Sequence, residues 1–303
     1  MTSTAALSKL AAFGILVGVL SGLAPRDTGA DMALARPDDG TVANGSYTNQ
    51  YFDVSYPLLP GWTEGLAGPE PSHAGYYVLK SLVPDGELTG MILVAAQDQF
   101  FAPQPFADAM DMAADLGRAK SALEGVTVDR QPSQVPIGGR SFSRIDISGF
   151  GLFDSTFIMQ ARCHMVSFNM TANTPERLAK LVDSMHRITD AGRGGDGKAD
   201  PTCVKSYAMP ENVVSRVHPA PVAPLSVPIP VRIIIAADGS VKHVHAIRAT
   251  ADQRTSIENA LRQWKLKPYE VQGRATEVET GLIIQFTPEG FVRYSTSERP
   301  PRS

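Results

Sequence analysis

The last third of the chain carries the pattern that most restricts the fold. Residues 231–235 place apolar side chains at every second position, Asp238-Gly239 is a typical hairpin turn, and residues 241–247 supply the returning strand. A helix follows, because apolar residues recur at i, i+3, i+4 and i+7: Ile257, Ala260, Leu261 and Trp264. Residues 278–286 form a last strand. This order predicts a small three-stranded sheet covered by one helix.

The same segment, about residues 213–288, resembles the TonB carboxyl-terminal domain. The resemblance rests on the hairpin with its turn 237–241, the helix end Ala260-Leu261-Arg262-Gln263-Trp264-Lys265-Leu266-Lys267-Pro268, Gly273, and the closing strand Ile283-Ile284-Gln285-Phe286. TonB-like proteins are anchored in the inner membrane, work with the ExbB and ExbD proton-driven motor, and pull on outer-membrane transporters. The resemblance therefore implies an outer-membrane transporter or motor proteins of the ExbB/ExbD type as partners.

The last strand is the predicted partner-binding site. A sheet with a helix on one face keeps edges whose backbone groups are unpaired. In the resembling family a transporter segment docks at the last strand by strand addition. The residues assigned to this edge strand are Glu277, Val278, Glu279, Leu282 and Ile284. The alternative is that the edge is closed by the Pro-rich segment before Val231, or by a second copy of the domain.

An apolar run near the start of the sequence bears on the compartment. Leu10–Ala24 contains no charged residue and is fifteen residues long, which fits the core of an export signal better than a membrane span of about 20 residues. Ala33-Leu34-Ala35 matches the cleavage rule. We expect residues 1–35 to be a signal peptide and the protein to be periplasmic or secreted. The alternative is an inner-membrane anchor formed by residues 10–24.

Residues 47–190 form a second organised region. Several alternating, β-branched runs predict strands, and apolar spacing predicts one helix at residues 105–123 and another that starts after Thr174. An early strand followed by Pro60-Gly61-Trp62, and a last strand that feeds a helix ending Met185-His186-Arg187-Ile188, resemble the PsbP-like fold. That family mostly binds proteins or small ligands and lacks a shared catalytic residue, so no site is carried over.

The predicted fold class is α+β with two domains, an antiparallel sheet with two helices followed by the small TonB-like sheet with one helix. Residues 191–212 are expected to be a Gly/Pro-rich linker and residues 289–303 a disordered tail.

Composition and motifs limit the chemistry. A net charge of −3 argues against a nucleic-acid partner. His243 and His245 lie two apart on a strand, as a metal pair would, but no third ligand stands nearby, so we expect an exposed strand face and no metal. Nucleophile-elbow and zinc-hydrolase motifs are missing from the sequence. The chain is therefore predicted not to be an enzyme, with no catalytic residues and no cofactor.

The sequence has two cysteines, Cys163 and Cys203. An oxidising periplasm permits a disulfide between them, and two separate thiols are the alternative.

Two functions follow from these observations. The first is an exported TonB-like protein-binding module of the bacterial cell envelope, which assists transport across the outer membrane by strand addition to a partner. The second is a soluble periplasmic ligand- or protein-binding protein that acts through the PsbP-like domain.

Overall fold

The computed structural model describes residues 36–192 and 200–295, which all belong to one compact unit, residues 34–303. Its α-helices are α1 (Ala109–Ser121), α2 (Pro175–Ser184) and α3 (Ala251–Leu261). Single 3₁₀ turns lie at Met185–Arg187 and Pro210–Asn212. The strands are β1 (Thr41–Ala43), β2 (Ser46–Asn49), β3 (Val54–Pro57), β4 (Trp62–Glu64), β5 (Tyr76–Pro84), β6 (Gly90–Asp98), β7 (Val126–Ile137), β8 (Arg140–Gly149), β9 (Leu152–Ala161), β10 (His164–Ala172), β11 (Thr202–Cys203), β12 (Val213–Ser215), β13 (Ile229–Ile235), β14 (Val241–Ala246), β15 (Lys265–Leu266), β16 (Tyr269–Val271), β17 (Arg274–Thr276), β18 (Val278–Phe286) and β19 (Val292–Ser295).

A larger antiparallel sheet is built from the first region in the order β4-β5-β6-β10-β9-β8-β7. Its central strand β10 pairs with both β6 and β9 over nine residues each. Helix α1 packs on one face through Ala113 against Ile145 and Ile158. Helix α2 packs on the other face, where Leu181 joins the main core. The α+β class predicted from the sequence is confirmed.

Strand β7 is absent from the sequence prediction, and its prolines explain why. Pro132 and Pro136 lie inside the strand, and proline is disfavoured in a central strand because it has no N–H to donate. The structure places β7 at the end of the sheet, paired only with β8, with irregular register around Arg130. A proline is tolerated at such an edge.

A smaller sheet holds the last third of the chain. β13 pairs with β14 on one side and with β18 on the other, and β11 and β19 both pair with the far side of β18. The prediction of three strands is corrected, since the described residues put five strands in this sheet. Helix α3 covers one face and buries Ile257, Leu261 and Phe286 between helix and sheet.

Pairing with β18 also corrects the prediction of a linker at residues 191–212 and of a disordered tail at residues 289–303. The second half of the linker packs into the smaller sheet, because Cys203 lies in β11 and Tyr207 and Ala208 are buried. Strand β19 lies inside the segment 289–303 that the sequence predicts to be a disordered tail. Both segments form strands because β18 offers them backbone partners that local sequence does not reveal.

The two regions predicted as separate domains share a boundary of buried side chains. Ile247, which follows β14, belongs to the core of the larger sheet, and Ile283 of β18 packs against the same core. The face of the smaller sheet opposite α3 therefore rests on the larger sheet.

The predicted signal peptide, residues 1–35, lies outside the described residues. Within the described residues, no helix combines the length and the apolar character that a membrane span requires.

Candidate functional site

Strand β18, which holds most of the predicted partner-binding edge, is paired on both sides. One side pairs with β13 along seven residues. The other side pairs in parallel with β11 at Val278–Glu279 and antiparallel with β19 at Ile283–Phe286. The sequence predicts an uncovered edge here, or one closed by the Pro-rich segment before Val231 or by a second copy of the domain. The structure closes it with residues 202–203 and 292–295 of the same chain.

The side chains assigned to that edge point to the two faces of the sheet. Val278, Leu282 and Ile284 are buried under α3. Glu279 is buried on the opposite face, and Glu277 forms an ion pair with Lys242 at 2.7 Å. A strand that paired with β18 would therefore meet its backbone rather than these five side chains.

Strand β11 is held on β18 by a short parallel ladder, with Thr202 opposite Val278 and Cys203 opposite Glu279. The N–H of Thr202 donates to the carbonyl of Glu277 at 2.9 Å, and the N–H of Val204 donates to the carbonyl of Glu279 at 3.0 Å. Each such hydrogen bond contributes about 1 kcal/mol net, whereas ordering one residue of backbone costs about 1–2 kcal/mol. For so short a strand the hydrogen bonds and the cost of ordering the backbone are of similar size, so other contacts decide how firmly β11 is held.

A disulfide supplies a further attachment. The sequence leaves a bond and two separate thiols as alternatives, and in the structure Cys163 and Cys203 are bonded, with 5.7 Å between their Cα atoms. Cys163 lies in the turn between β9 and β10 and is buried, whereas Cys203 is exposed. The bond thus fastens β11 to the larger sheet.

Beneath β18, charged side chains form a buried cluster between the two sheets. Arg232 of β13 donates to a carboxylate oxygen of Asp98, and its Nη2 lies 2.8 Å from Oε1 of Glu279. Nη2 of Arg162 is 3.6 Å from Oε2 of Glu279, and the hydroxyl of Tyr51 donates to Oε1 of Glu279 at 3.2 Å. We call Asp98, Arg162, Arg232 and Glu279 the ionic cluster.

Strand alternation explains how the cluster arises. Successive residues of a strand point to opposite faces, so Arg232 points away from α3 because its neighbours Val231 and Ile233 point toward it. Asp98 ends β6, where the N–H of Phe100 donates to its Oδ1 at 2.7 Å. The cluster pairs two cations with two anions, which compensates the cost of burying each charge.

Burial and neighbouring charges shift the pKa values in opposite directions. Burial raises the pKa of Asp98, although Arg232 opposes the shift. Burial also disfavours ionisation of Glu279, but Arg232 and Arg162 outweigh it and hold the pKa of that carboxyl below its usual value. Burial, with Arg232 and Arg162 nearby, places the pKa of His164 well below 6.5, so this imidazole is neutral.

His243 and His245 share one strand face, as the sequence predicts, but that face is not exposed. It points toward the larger sheet, where His245 is 7% exposed and His243 is half-buried. Burial lowers the pKa of His243 to about 4 and that of His245 to about 3. Among the described residues, no group of three or more His, Cys, Asp or Glu side chains is placed to hold a metal ion.

A groove of about 540 Å³ opens at the end of the larger sheet. Its walls come from the segment before β3, the start of α1, and the ends of β7, β8 and β9; they include Phe52, Asp108, Gln134, Arg140, Met159 and Arg162. Its size lies within the range of about 300–1,000 Å³ of small-molecule pockets. The guanidinium of Arg140 is held by Asp53 and Asp190.

Of the ionic cluster, only Glu279 is among the residues that the sequence predicts to be functional. One local signal for the cluster exists, because Arg232 stands within the otherwise apolar strand Ile229–Ile235. A charge at such a position needs a buried partner. The partner is Asp98, 134 residues away in the chain, and no spacing rule connects residues at that separation.

Comparison with known proteins gives a limited result. No family model matches the chain, and no curated protein matches it. Among solved structures, the solution structure of cyanobacterial PsbP (CyanoP) from Synechocystis is similar to part of the chain. The similarity covers 50% of this chain and 96% of that one, at 13% sequence identity and a TM-score of 0.36.

Proposed function

We propose that this protein is a non-enzymatic protein-binding module of the bacterial cell envelope that takes up an extended segment of a partner by strand addition to the outer side of β18. One observation carries the proposal. The outer side of β18 accepts two separate segments of the chain, β11 in parallel and β19 antiparallel. A strand that pairs with short segments in both directions is a suitable acceptor for a third.

The backbone of β18 supports this mode of recognition. The carbonyl groups of Glu277 and Glu279 accept hydrogen bonds from Thr202 of β11 and from Val204, the residue after it. Because backbone groups of alternate residues point to the same side of a strand, Gly281 presents its N–H and C=O between β11 and β19. In strand addition such groups supply affinity, and pockets for alternate side chains supply selectivity.

The disulfide and the apolar run 10–24 support a location outside the cytoplasm, and the periplasm is part of this proposal. The TonB-like sequence pattern of residues 213–288 supports an envelope partner. An outer-membrane transporter, or motor proteins of the ExbB/ExbD type, are the partner classes that the pattern suggests.

Site-specific photo-crosslinking in living cells tests the proposal. A photoreactive amino acid replaces Arg293, an exposed residue of β19, and in a matched variant it replaces Lys242, an exposed residue of β14 at the opposite edge of the same sheet. We expect a discrete protein adduct from position 293 and none from position 242. Equal adducts from both positions, or none from position 293 even in cells treated with dithiothreitol, would contradict strand addition at this side.

The groove of about 540 Å³ favours a second candidate function, binding of a small ligand by the larger sheet. The protein would be purified under native conditions and denatured, and the released small molecules identified by mass spectrometry. Gln160 lines the groove and is exposed, so Gln160→Trp fills part of the groove without disturbing the core. A ligand recovered from the wild type and lost from this variant supports the candidate, and recovery of nothing from the wild type rejects it.

A further inference from the structure

Residues 200–204 form an arm that crosses the outer side of β18. Beside its short ladder with β18, the arm donates from the N–H groups of Thr202 and Val204, and Nε of Arg162 lies 3.8 Å from Oδ1 of Asp200. Val204 also packs against the core of the smaller sheet. The Cys163–Cys203 disulfide is the covalent attachment of the arm. Beyond the arm, Tyr207 is fixed independently, because its N–H donates to Thr280 Oγ1 at 3.0 Å and its hydroxyl donates to the carbonyl of Lys267 at 2.9 Å.

The backbone between arm and anchor turns sharply. Ser206 has a φ of +61°, in the left-handed region that non-glycine residues rarely adopt. The arm is thus a short segment with a fixed point at Tyr207 and a bend at Ser206. Its hydrogen bonds and the packing of Val204 must offset the entropy of ordering the arm, and the disulfide lowers that entropy cost by restricting the unpaired arm.

We propose that the Cys163–Cys203 disulfide is a redox latch, which keeps the outer side of β18 closed while it is formed and opens it to the partner segment when it is reduced. The inference rests on the proposed strand-addition function and adds its regulation. On reduction the arm leaves β18, and the backbone groups of Glu277, Glu279 and Gly281 become available to the incoming strand.

The chemistry requires a dithiol reductant. One thiolate of the dithiol attacks the sulfur of Cys203, the exposed residue of the pair, the Cys163–Cys203 bond breaks, and Cys163 leaves as a thiolate that takes up a proton. The second thiol of the reductant then displaces Cys203, so two electrons pass to the protein and the reductant becomes a disulfide. Attack at Cys203 is the accessible route because Cys163 is 2% exposed. Oε2 of Glu279, 3.6 Å from Cys163 Sγ, is placed to accept a hydrogen bond from the new thiol.

The arm also indicates the chemistry of the segment that replaces it. At the position of Cys203 the side chain meets the turn that holds buried Cys163, which leaves room for a small residue. At the next position Val204 packs against the core of the smaller sheet. The partner segment is therefore extended, parallel to β18, with a small residue followed by a β-branched apolar one.

Hydrogen exchange tests the latch without a partner. The full chain would be compared in three forms: oxidised, reduced with dithiothreitol, and as the double variant Cys163→Ala/Cys203→Ala. We expect the amides of Thr202 and Val204 to exchange at least about tenfold faster in the last two forms, while core amides of β13 keep their protection. Unchanged exchange at Thr202 and Val204 would overturn the latch, and so would loss of protection throughout the smaller sheet.

Peptide binding tests the opened site. The probe is a peptide with the sequence of residues 200–207 and serine at the cysteine position, and its control carries N-methyl groups at the residues equivalent to Thr202 and Val204. Titrations are followed by the amide NMR shifts of residues 277–281. The Kd of the probe should be at least about tenfold lower for the reduced protein than for the oxidised one, and the control peptide should not bind. Equal binding to both forms would overturn the latch and leave strand addition in place. Binding to neither form would overturn strand addition and, with it, the proposed regulation.

Discussion

At the scale of single residues, Arg232 connects the two sheets. It is the one member of the ionic cluster that contacts both Asp98 of the larger sheet and Glu279 of the smaller. Its side chain is 3% exposed, so water does not replace these contacts if the guanidinium is removed. A buried pair of this kind stabilises little compared with apolar packing, but breaking one partner leaves uncompensated buried charge.

Arg232→Met should therefore lower the free energy of unfolding by about 3–5 kcal/mol. Methionine keeps most of the side-chain volume, so the loss reports the unpaired carboxylates of Asp98 and Glu279. The matched control is Lys242→Met, which breaks an ion pair with Glu277 at a site where the lysine side chain is 41% exposed, and it should cost less than about 1 kcal/mol. Denaturant titration measures both. Similar losses in the two variants would contradict the assigned role of Arg232.

Buried His245 should make the protein less stable as the pH falls. Burial lowers its folded-state pKa to about 3, whereas an unfolded histidine has a pKa of about 6.5. The unfolded chain therefore takes up a proton between pH 7 and pH 5 that the folded chain does not, and the free energy of unfolding falls by about 2 kcal/mol. This contribution is complete above about pH 6.5 and decreases as the pH falls toward 3.

Urea unfolding of the wild type and of His245→Asn at pH 7 and pH 5 isolates that contribution. Asparagine does not titrate, so the pH-dependent loss should be smaller in the variant by about 2 kcal/mol. Comparison with the wild type removes the effects of other groups, including the opposite contribution of Asp98, whose pKa is raised by burial. The same loss in both proteins would show that His245 is not the source.

At the scale of elements, local pattern predicts most long strands and the amphipathic helices, but it misses short strands and the long, proline-containing strand β7. The long strands β5, β6, β8, β9 and β10 and all three helices of the described residues correspond to predicted segments. Strand β11 has two residues and exists because Cys203 is bonded to Cys163, 40 positions earlier. Strand β19 exists because β18 offers it a partner. Such elements are set by tertiary contacts, which residue spacing does not encode.

The contribution of the N-terminal cap of helix α3 to stability can be tested separately. Thr250 accepts from the N–H of Gln253 at 3.3 Å, and the Gln253 side chain accepts from the N–H of Thr250 at 3.1 Å, which together form a capping box. Thr250→Ala should cost about 1 kcal/mol in thermal or denaturant unfolding. Thr255→Ala, at an exposed position within the same helix, should change stability by less than about 0.5 kcal/mol. Equal effects would mean that the cap does not stabilise α3.

At the scale of the whole molecule, the two sheets contact each other more closely than two linked domains would. The sequence predicts separate domains because each has its own local pattern. Their junction depends on pairs such as Arg232 with Asp98 and Tyr51 with Glu279, the latter 228 residues apart. A single sequence carries no signal for such pairs. The pattern of each region can therefore be recognised from the sequence, but the contact between the two sheets cannot.

Gly281 should be sensitive to substitution because it lies where the sheets meet. A Cβ atom there would lie 2.7 Å from Phe100 Cβ and 2.8 Å from an atom of the Phe101 ring. Gly281→Ala should therefore cost about 1–3 kcal/mol through overpacking. In α1, Gly117→Ala meets only the flexible end of Ile145, at 3.0 Å, and gains about 1 kcal/mol of helix propensity, so it should be nearly neutral. Unfolding experiments that rank the two variants in the opposite order would contradict this account of the junction.

The position of β18 along the chain has a consequence for biosynthesis. A ribosome makes β13 and β14 before β18, so for a time the nascent chain contains Arg232 without Glu279 and a β13 edge without its partner. A product that stops before β18 keeps both defects, and chaperones and proteases act on exposed strand edges and apolar surface. Because β18, a middle strand of the smaller sheet, is synthesised so late, only a chain that includes β18 can complete this sheet. An interrupted chain keeps an exposed strand edge.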